Sequence, residues 1–196
     1  PVEYVRSTVT TRIEVRLHAP RERASVAHEE ALRNLETFER ALEPGSIESW
    51  RLIDASPHGL GIEAIGKGAW AKAGMLIAYR DAGDPAWSMA VVRRLNRADD
   101  DRVRVGLRKL PGIPQCARVT LNDPRQISGK APSGPALKYD AIELAGEASC
   151  LLLPPGVFDA AWRYTLTVGH RWDLIRMQRC TECGLDFEQV TFAIEE

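Results

Sequence analysis

"LIDASPHGLGIEA", residues 52–64, places an acid and a hydroxyl two positions apart, Asp54 and Ser56, just before a Pro57-His58-Gly59 break. Side chains alternate across a strand, so residues at that spacing point the same way. Before the break the sequence is apolar, and after it a second alternating stretch begins, which reads as two strands joined by a turn. Short polar groups at such a place either hold a ligand or cap the hairpin. The surrounding sequence decides what kind of fold presents them.

Upstream, VTTRIEVRL (9–17) alternates with period two, with Val9, Ile13, Val15 and Leu17 on one side and Arg12, Glu14 and Arg16 on the other. It reads as a half-buried strand. Residues 25–43 change to a helical period: Ala31, Leu35, Phe38 and Leu42 make one stripe, Ser25 stands at the N-cap position and Gly45 lies just past the end. From Trp50 onward strand follows strand: SWRLIDA, LGIEAI, GMLIAYRD, WSMAVVRRL, RVRVGLRKL and CARVTL. Turn-rich segments such as 81–85 and 96–101 separate them. Residues 122–136 are rich in Pro, Gly and Ser and read as a linker, after which YDAIELA, SCLLL, WRYTLTV, RWDLIRMQR and FEQVTFAI continue the pattern. Short strands at this spacing predict an antiparallel barrel or sandwich.

The two strand-rich regions align. WSMAVVRRL lies over WDLIRMQRC, which matches Trp87 to Trp172, Val92 to Met177 and Arg94 to Arg179. RVRVGL then falls near EQVTFA, and Asp54-Ala-Ser56 near Glu147-Ala-Ser149, although the second copy lacks the Pro-His-Gly break. The expected organisation is an N-terminal strand and amphipathic helix (1–48), a first barrel (49–121), a linker (122–138) and a second, similar barrel-like unit (139–196). Trp50, Trp87 and Trp172 are expected in the core. In the second unit Cys150-Leu-Leu-Leu153 is continuously apolar, which suits packing on the first barrel or across a homodimer rather than opening a polar pocket.

Composition narrows the function classes. The chain has 196 residues, 44% of them hydrophobic, and a formal net charge of −1. No global field draws nucleic acid or an anionic membrane. No apolar run reaches the roughly 18 residues that cross a bilayer. No signal peptide is visible, and a chain that opens on Pro1 reads as trimmed or partial. The four cysteines, at 116, 150, 180 and 183, lack a disulfide-scaffold pattern, which predicts reduced thiols and a cytoplasmic location. Cys180-Thr-Glu-Cys183 has the shape of a zinc knuckle with His170 nearby, but no second CxxC or CxxH completes four ligands, so no metal is expected. There is no nucleophile elbow, Walker loop or dinucleotide fingerprint. An enzyme is not expected, and no cofactor.

Asp54-x-Ser56-x-x-Gly59, followed by an alternating strand and then by GMLIAYRD, WSMAVVRRLNR and RVRVGLRKL, resembles the (D/N)xSxxG signature of PilZ domains over residues 50–121. The resemblance implies a six-stranded barrel and a cytoplasmic, non-catalytic receptor for cyclic di-GMP that signals through a protein partner. The chemistry is coherent. A carboxylate accepts from guanine N1–H and N2–H, a hydroxyl bonds a base or phosphate, and glycine lets the chain pass close to a ligand. The family also carries an RxxxR pair upstream, which Arg12-x-x-x-Arg16 matches in spacing. The ligand residues implied are therefore Arg12, Arg16, Asp54, Ser56 and Gly59. The Arg pair departs from the family pattern, since it sits inside an alternating strand and a long segment separates it from Asp54. A second reading thus stays open: a degenerate PilZ-like domain that binds no nucleotide and acts as an interaction or oligomerisation module.

Overall fold

The computed structural model describes residues 12–16, 47–65, 70–81, 86–97, 102–122, 137–146 and 150–195. The described residues form twelve strands and no helix. The amphipathic helix expected over 25–43 lies outside them.

The strands are β1 (Arg12–Arg16), β2 (Ile47–Ala55), β3 (Gly59–Ile65), β4 (Leu76–Asp81), β5 (Ser88–Arg97), β6 (Arg102–Leu110), β7 (Ile113–Asn122), β8 (Lys138–Ala145), β9 (Cys150–Leu153), β10 (Arg163–Val168), β11 (Arg171–Cys183) and β12 (Glu188–Ile194). They close into two barrels of strand order β1-β2-β3-β6-β5-β4 and β7-β8-β9-β12-β11-β10. The two orders are the same order, six strands apart. Closure leaves neither sheet with an open edge.

The duplication reaches the level of single residues. In β5 the ladder to β6 slips between Val92 and Arg94, and in β11 the ladder to β12 slips between Met177 and Arg179. These are the residue pairs that the sequence alignment matched. Val92 and Met177 fill the interiors of their respective barrels.

Three expectations are corrected. The first barrel is not wholly antiparallel: β1 runs parallel to both β2 and β4, whereas its counterpart β7 in the second runs antiparallel to β8 and β10. A parallel pair cannot be joined by a tight turn, and residues 17–46 stand between β1 and β2. Next, β7 belongs to the second barrel, so the barrels meet at the short connection after Leu110, and the Pro/Gly/Ser-rich segment lies between two strands of one barrel. Its turn-rich composition marked a connection within one barrel rather than a domain boundary. Finally, Trp172 is 71% exposed, and Trp87 is buried between the barrels rather than inside one.

Each barrel has its own interior. The first is filled by Trp50, Leu60, Ile62, Ile77, Tyr79, Val92, Val105 and Leu107, and the second by Val119, Leu151, Leu153, Tyr164, Leu166, Ile175, Met177 and Val190. A third cluster joins Leu76, Ala78, Trp87, Met89, Val91 and Leu110 of the first barrel to Ile142, Leu144, Cys150, Leu152 and Phe187 of the second. The apolar runs follow from it. Met89–Val92 and Cys150–Leu153 lose alternation because one face of each strand fills a barrel and the other fills the seam.

Candidate functional site

The signature forms the β2–β3 turn. Ser56 N–H donates to Gly59 C=O at 2.9 Å, and Ser56 Oγ lies 3.4 Å from the same oxygen. The turn is tied to β6 by one residue: Lys109 N–H donates to His58 C=O at 2.9 Å, and Lys109 Nζ donates to Ser56 C=O at 2.9 Å. A Cβ on Gly59 would meet Leu107 C=O at 2.9 Å, so the close approach of β3 and β6 requires glycine there.

Register extends the site beyond the turn. Across β2, β3, β6 and β5, Asp54 pairs with Gly61, Gly61 with Gly106, and Gly106 with Arg94. All four lie on the outer face of the barrel. Two adjacent glycines thus lie between Asp54 and Arg94, whose backbones are three strand spacings or about 14 Å apart. The side chains lean over these glycines: a Cβ on Gly61 would meet Asp54 Oδ1 at 2.5 Å, and one on Gly106 would meet Arg94 Cβ at 3.4 Å. Asp54 and Arg94 are both exposed.

The flanking rows are basic. On one side Arg51, Glu63 and Arg104 stand in register. Arg51 Nη2 donates to Glu63 Oε2 at 2.6 Å, and Arg104 Nε to Glu63 Oε1 at 3.1 Å. The hydrogen bond from Arg104 is the largest influence holding the Glu63 carboxyl below its ordinary range; burial opposes it, and Arg51 adds to it. The two guanidiniums keep 69% and 63% of their side-chain surface exposed, so Glu63 orients them without covering them. On the other side Arg108 pairs with Gly59 in register, and its guanidinium bonds Glu182 of the second barrel, which also accepts from Arg93 Nη2 at 2.6 Å.

Asp54, Ser56 and Gly59 are therefore together at one hairpin. The Arg pair is placed differently. Arg16 stands in register with Arg51 and Arg12 with Ile47, which puts their positions three and seven residues along β2 from Asp54. At strand rise these are about 10 and 23 Å. Gly61, Gly106, Arg94 and Arg104 were not singled out as site residues by sequence, where Arg94 entered only through its match to Arg179. Their significance depends on which strands pair, and no local pattern carries that information.

The second barrel has the equivalent row. Leu144 pairs with Cys150, Cys150 with Thr191, and Thr191 with Arg179. The arginine is kept, but the two glycines are replaced by Cys150 and Thr191 and the carboxylate by Leu144. Leu144 and Cys150 are buried in the seam. Glu147 and Ser149, the sequence counterparts of Asp54 and Ser56, lie outside the described residues. Among the described residues no three His, Cys, Asp or Glu side chains converge as a metal site would require, and no helix is long and apolar enough to cross a membrane. Comparison with family models, with curated proteins and with solved structures finds no significant match.

Proposed function

We propose that this chain is a non-enzymatic receptor of the PilZ type that binds cyclic di-GMP on the outer face of its first barrel and signals through a protein partner. The observation that carries the reading is the glycine-floored row Asp54–Gly61–Gly106–Arg94 beside the signature turn. Flat purine rings need a floor without side chains, which Gly61 and Gly106 supply once the exposed Asp54 and Arg94 side chains that lean over them swing aside. Asp54 suits the donor edge of guanine. Arg94 and Arg104 suit phosphate oxygens or the guanine O6/N7 edge, where a planar fork bonds two acceptors at once. The second barrel, with its floor filled by Cys150 and Thr191, serves packing and carries no nucleotide site.

Calorimetry with cyclic di-GMP tests this on the wild type and on Asp54→Ala, Arg94→Ala, Arg16→Ala and Arg12→Ala. A hydrogen bond to a charged group contributes about 1.5–3 kcal/mol, so loss of Asp54 or Arg94 should weaken binding about 10- to 100-fold. Arg12→Ala should change it least, since its position lies farthest from Asp54. The second reading, a module that binds no nucleotide, draws on the ion pairs: Glu63 holds Arg51 and Arg104, and Glu182 holds Arg93 and Arg108. No heat from a folded wild type would favour it.

A further inference from the structure

The hairpin between β11 and β12 docks on the first barrel. Glu182 accepts from Arg93 and Arg108, Leu185 N–H donates to Gly74 C=O at 2.7 Å, and Leu76 N–H donates to Asp186 Oδ1 at 2.9 Å. Phe187, fully buried, plugs the seam. Cys180 and Cys183 bracket Glu182. In a regular strand, residues three apart point to opposite faces with Cα atoms about 10 Å apart. Here the ladder slips between Cys180 and Glu182, and the two sulfurs lie 3.2 Å apart as free thiols. Cys183 is exposed and Cys180 is half-buried.

We propose that Cys180 and Cys183 form an oxidisable dithiol, closed by exchange with a low-molecular-weight disulfide, and that closure loosens the docking of this hairpin on the first barrel. The exposed Cys183 thiolate attacks one sulfur of the reagent and expels the first reagent thiolate. Cys180 then gives its proton to solvent and attacks Cys183 Sγ, expelling the second. Two protein thiols and one reagent disulfide become one protein disulfide and two reagent thiols. Burial is the main cause that pushes the Cys180 thiol up to about 11, with the neighbouring Cys183 adding to it. The second step is therefore the slow one at neutral pH. Bonding draws the sulfurs from contact to about 2.05 Å. The residues enclosed are Thr181, whose Oγ1 donates to Gln189 C=O at 3.1 Å, and Glu182, which pairs with Gln189 in the ladder. Tightening this loop displaces the Glu182 carboxylate from Arg93 and Arg108. The inference does not rest on the nucleotide reading.

The test equilibrates the full chain in mixtures of reduced and oxidised glutathione, quenches with acid, alkylates and maps the peptides. Amide exchange is followed at Leu185, Leu76 and, as an interior reference, Ile62. The expected result is a 180–183 link with loss of two hydrogen atoms. Exchange at Leu185 and Leu76 should be several-fold faster in the oxidised protein, with Ile62 unchanged. Cys180→Ser should hold glutathione on Cys183 as a lasting mixed disulfide, and neither Cys180→Ser nor Cys183→Ser should form the internal link. Thiols 180 and 183 that stay reduced in oxidised glutathione would overturn the proposal. So would a link that leaves Leu185 and Leu76 exchange unchanged, or that speeds Ile62 equally.

Discussion

Two glycines on one sheet face, Gly59 and Gly61, have different reasons to be glycine. At Gly59 an added Cβ would meet backbone, Leu107 C=O at 2.9 Å, while at Gly61 it would meet the end of the Asp54 side chain. Backbone cannot step aside cheaply, whereas an exposed carboxylate rotates away. Gly59→Ala should therefore cost about 1–3 kcal/mol in denaturant unfolding, and Gly61→Ala little, while Gly61→Ala should still impair ligand binding by raising the floor. Equal stability losses at the two positions would contradict the geometry. Glu63 gives a pH signature. Its carboxyl is held below its ordinary value of 4.5, chiefly by Arg104. A lowered folded-state value contributes stability that is present above the unfolded value and is lost as pH falls through the folded one. Glu63→Gln should thus be less stable than wild type at neutral pH, with the difference shrinking below pH 4.5. Asp54, Ser56 and Gly59 were legible because the hairpin is local in sequence. Gly61, Gly106 and Arg94 were not, because they meet only through long-range strand pairing.

Among the elements, β5 and β9 show how far periodicity reaches. The apolar run of β9 predicted packing, and β9, like β5, separates a barrel interior from the seam. The run of β9 left two covers open, the first barrel or a second copy, and the first barrel supplies it. Met89 stands on the seam side of β5 at 2% exposure. Met89→Ala should cost about 2–5 kcal/mol, as an interior truncation does, although the residue is outside its own barrel. A cost below about 0.5 kcal/mol, typical of surface sites, would mean that the seam is open in solution. Trp172 marks the opposite error. It aligns with Trp87, but the seam covers only the first copy's face, and so its counterpart is left 71% exposed. β7 was assigned to the wrong barrel for a related reason. A strand's composition does not say which neighbour it pairs with, and the Pro/Gly/Ser-rich sequence after it resembled a boundary.

In the whole molecule, two copies of one strand order share a core, and a half-buried acid borders it. Asp186 sits at the seam, and burial pushes its carboxyl up to about 6, against the opposing effect of its hydrogen bond from Leu76 N–H. A raised folded-state value contributes stability that is fully present below the unfolded value, 3.8, and is lost as pH rises through about 6. Asp186→Asn keeps an acceptor for Leu76 and should remove that pH dependence, leaving the variant no less stable than wild type at neutral pH. Denaturant unfolding between these limits checks it, and an unchanged slope would place the carboxyl in water. The duplication itself was legible from Val92, Arg94, Met177 and Arg179, since the slip in each ladder falls between the matched residues. On the proposed reading, the copies differ in function through the row that Gly61 and Gly106 occupy in one and Cys150 and Thr191 in the other. The most direct test of that difference is a nuclear magnetic resonance titration of the labelled full chain with cyclic di-GMP. The account predicts saturable shifts at the Gly59, Gly61 and Gly106 amides, with Cys150 and Thr191 unmoved. No shift at any of the three glycines in the folded protein, or shifts confined to the second barrel, would contradict it.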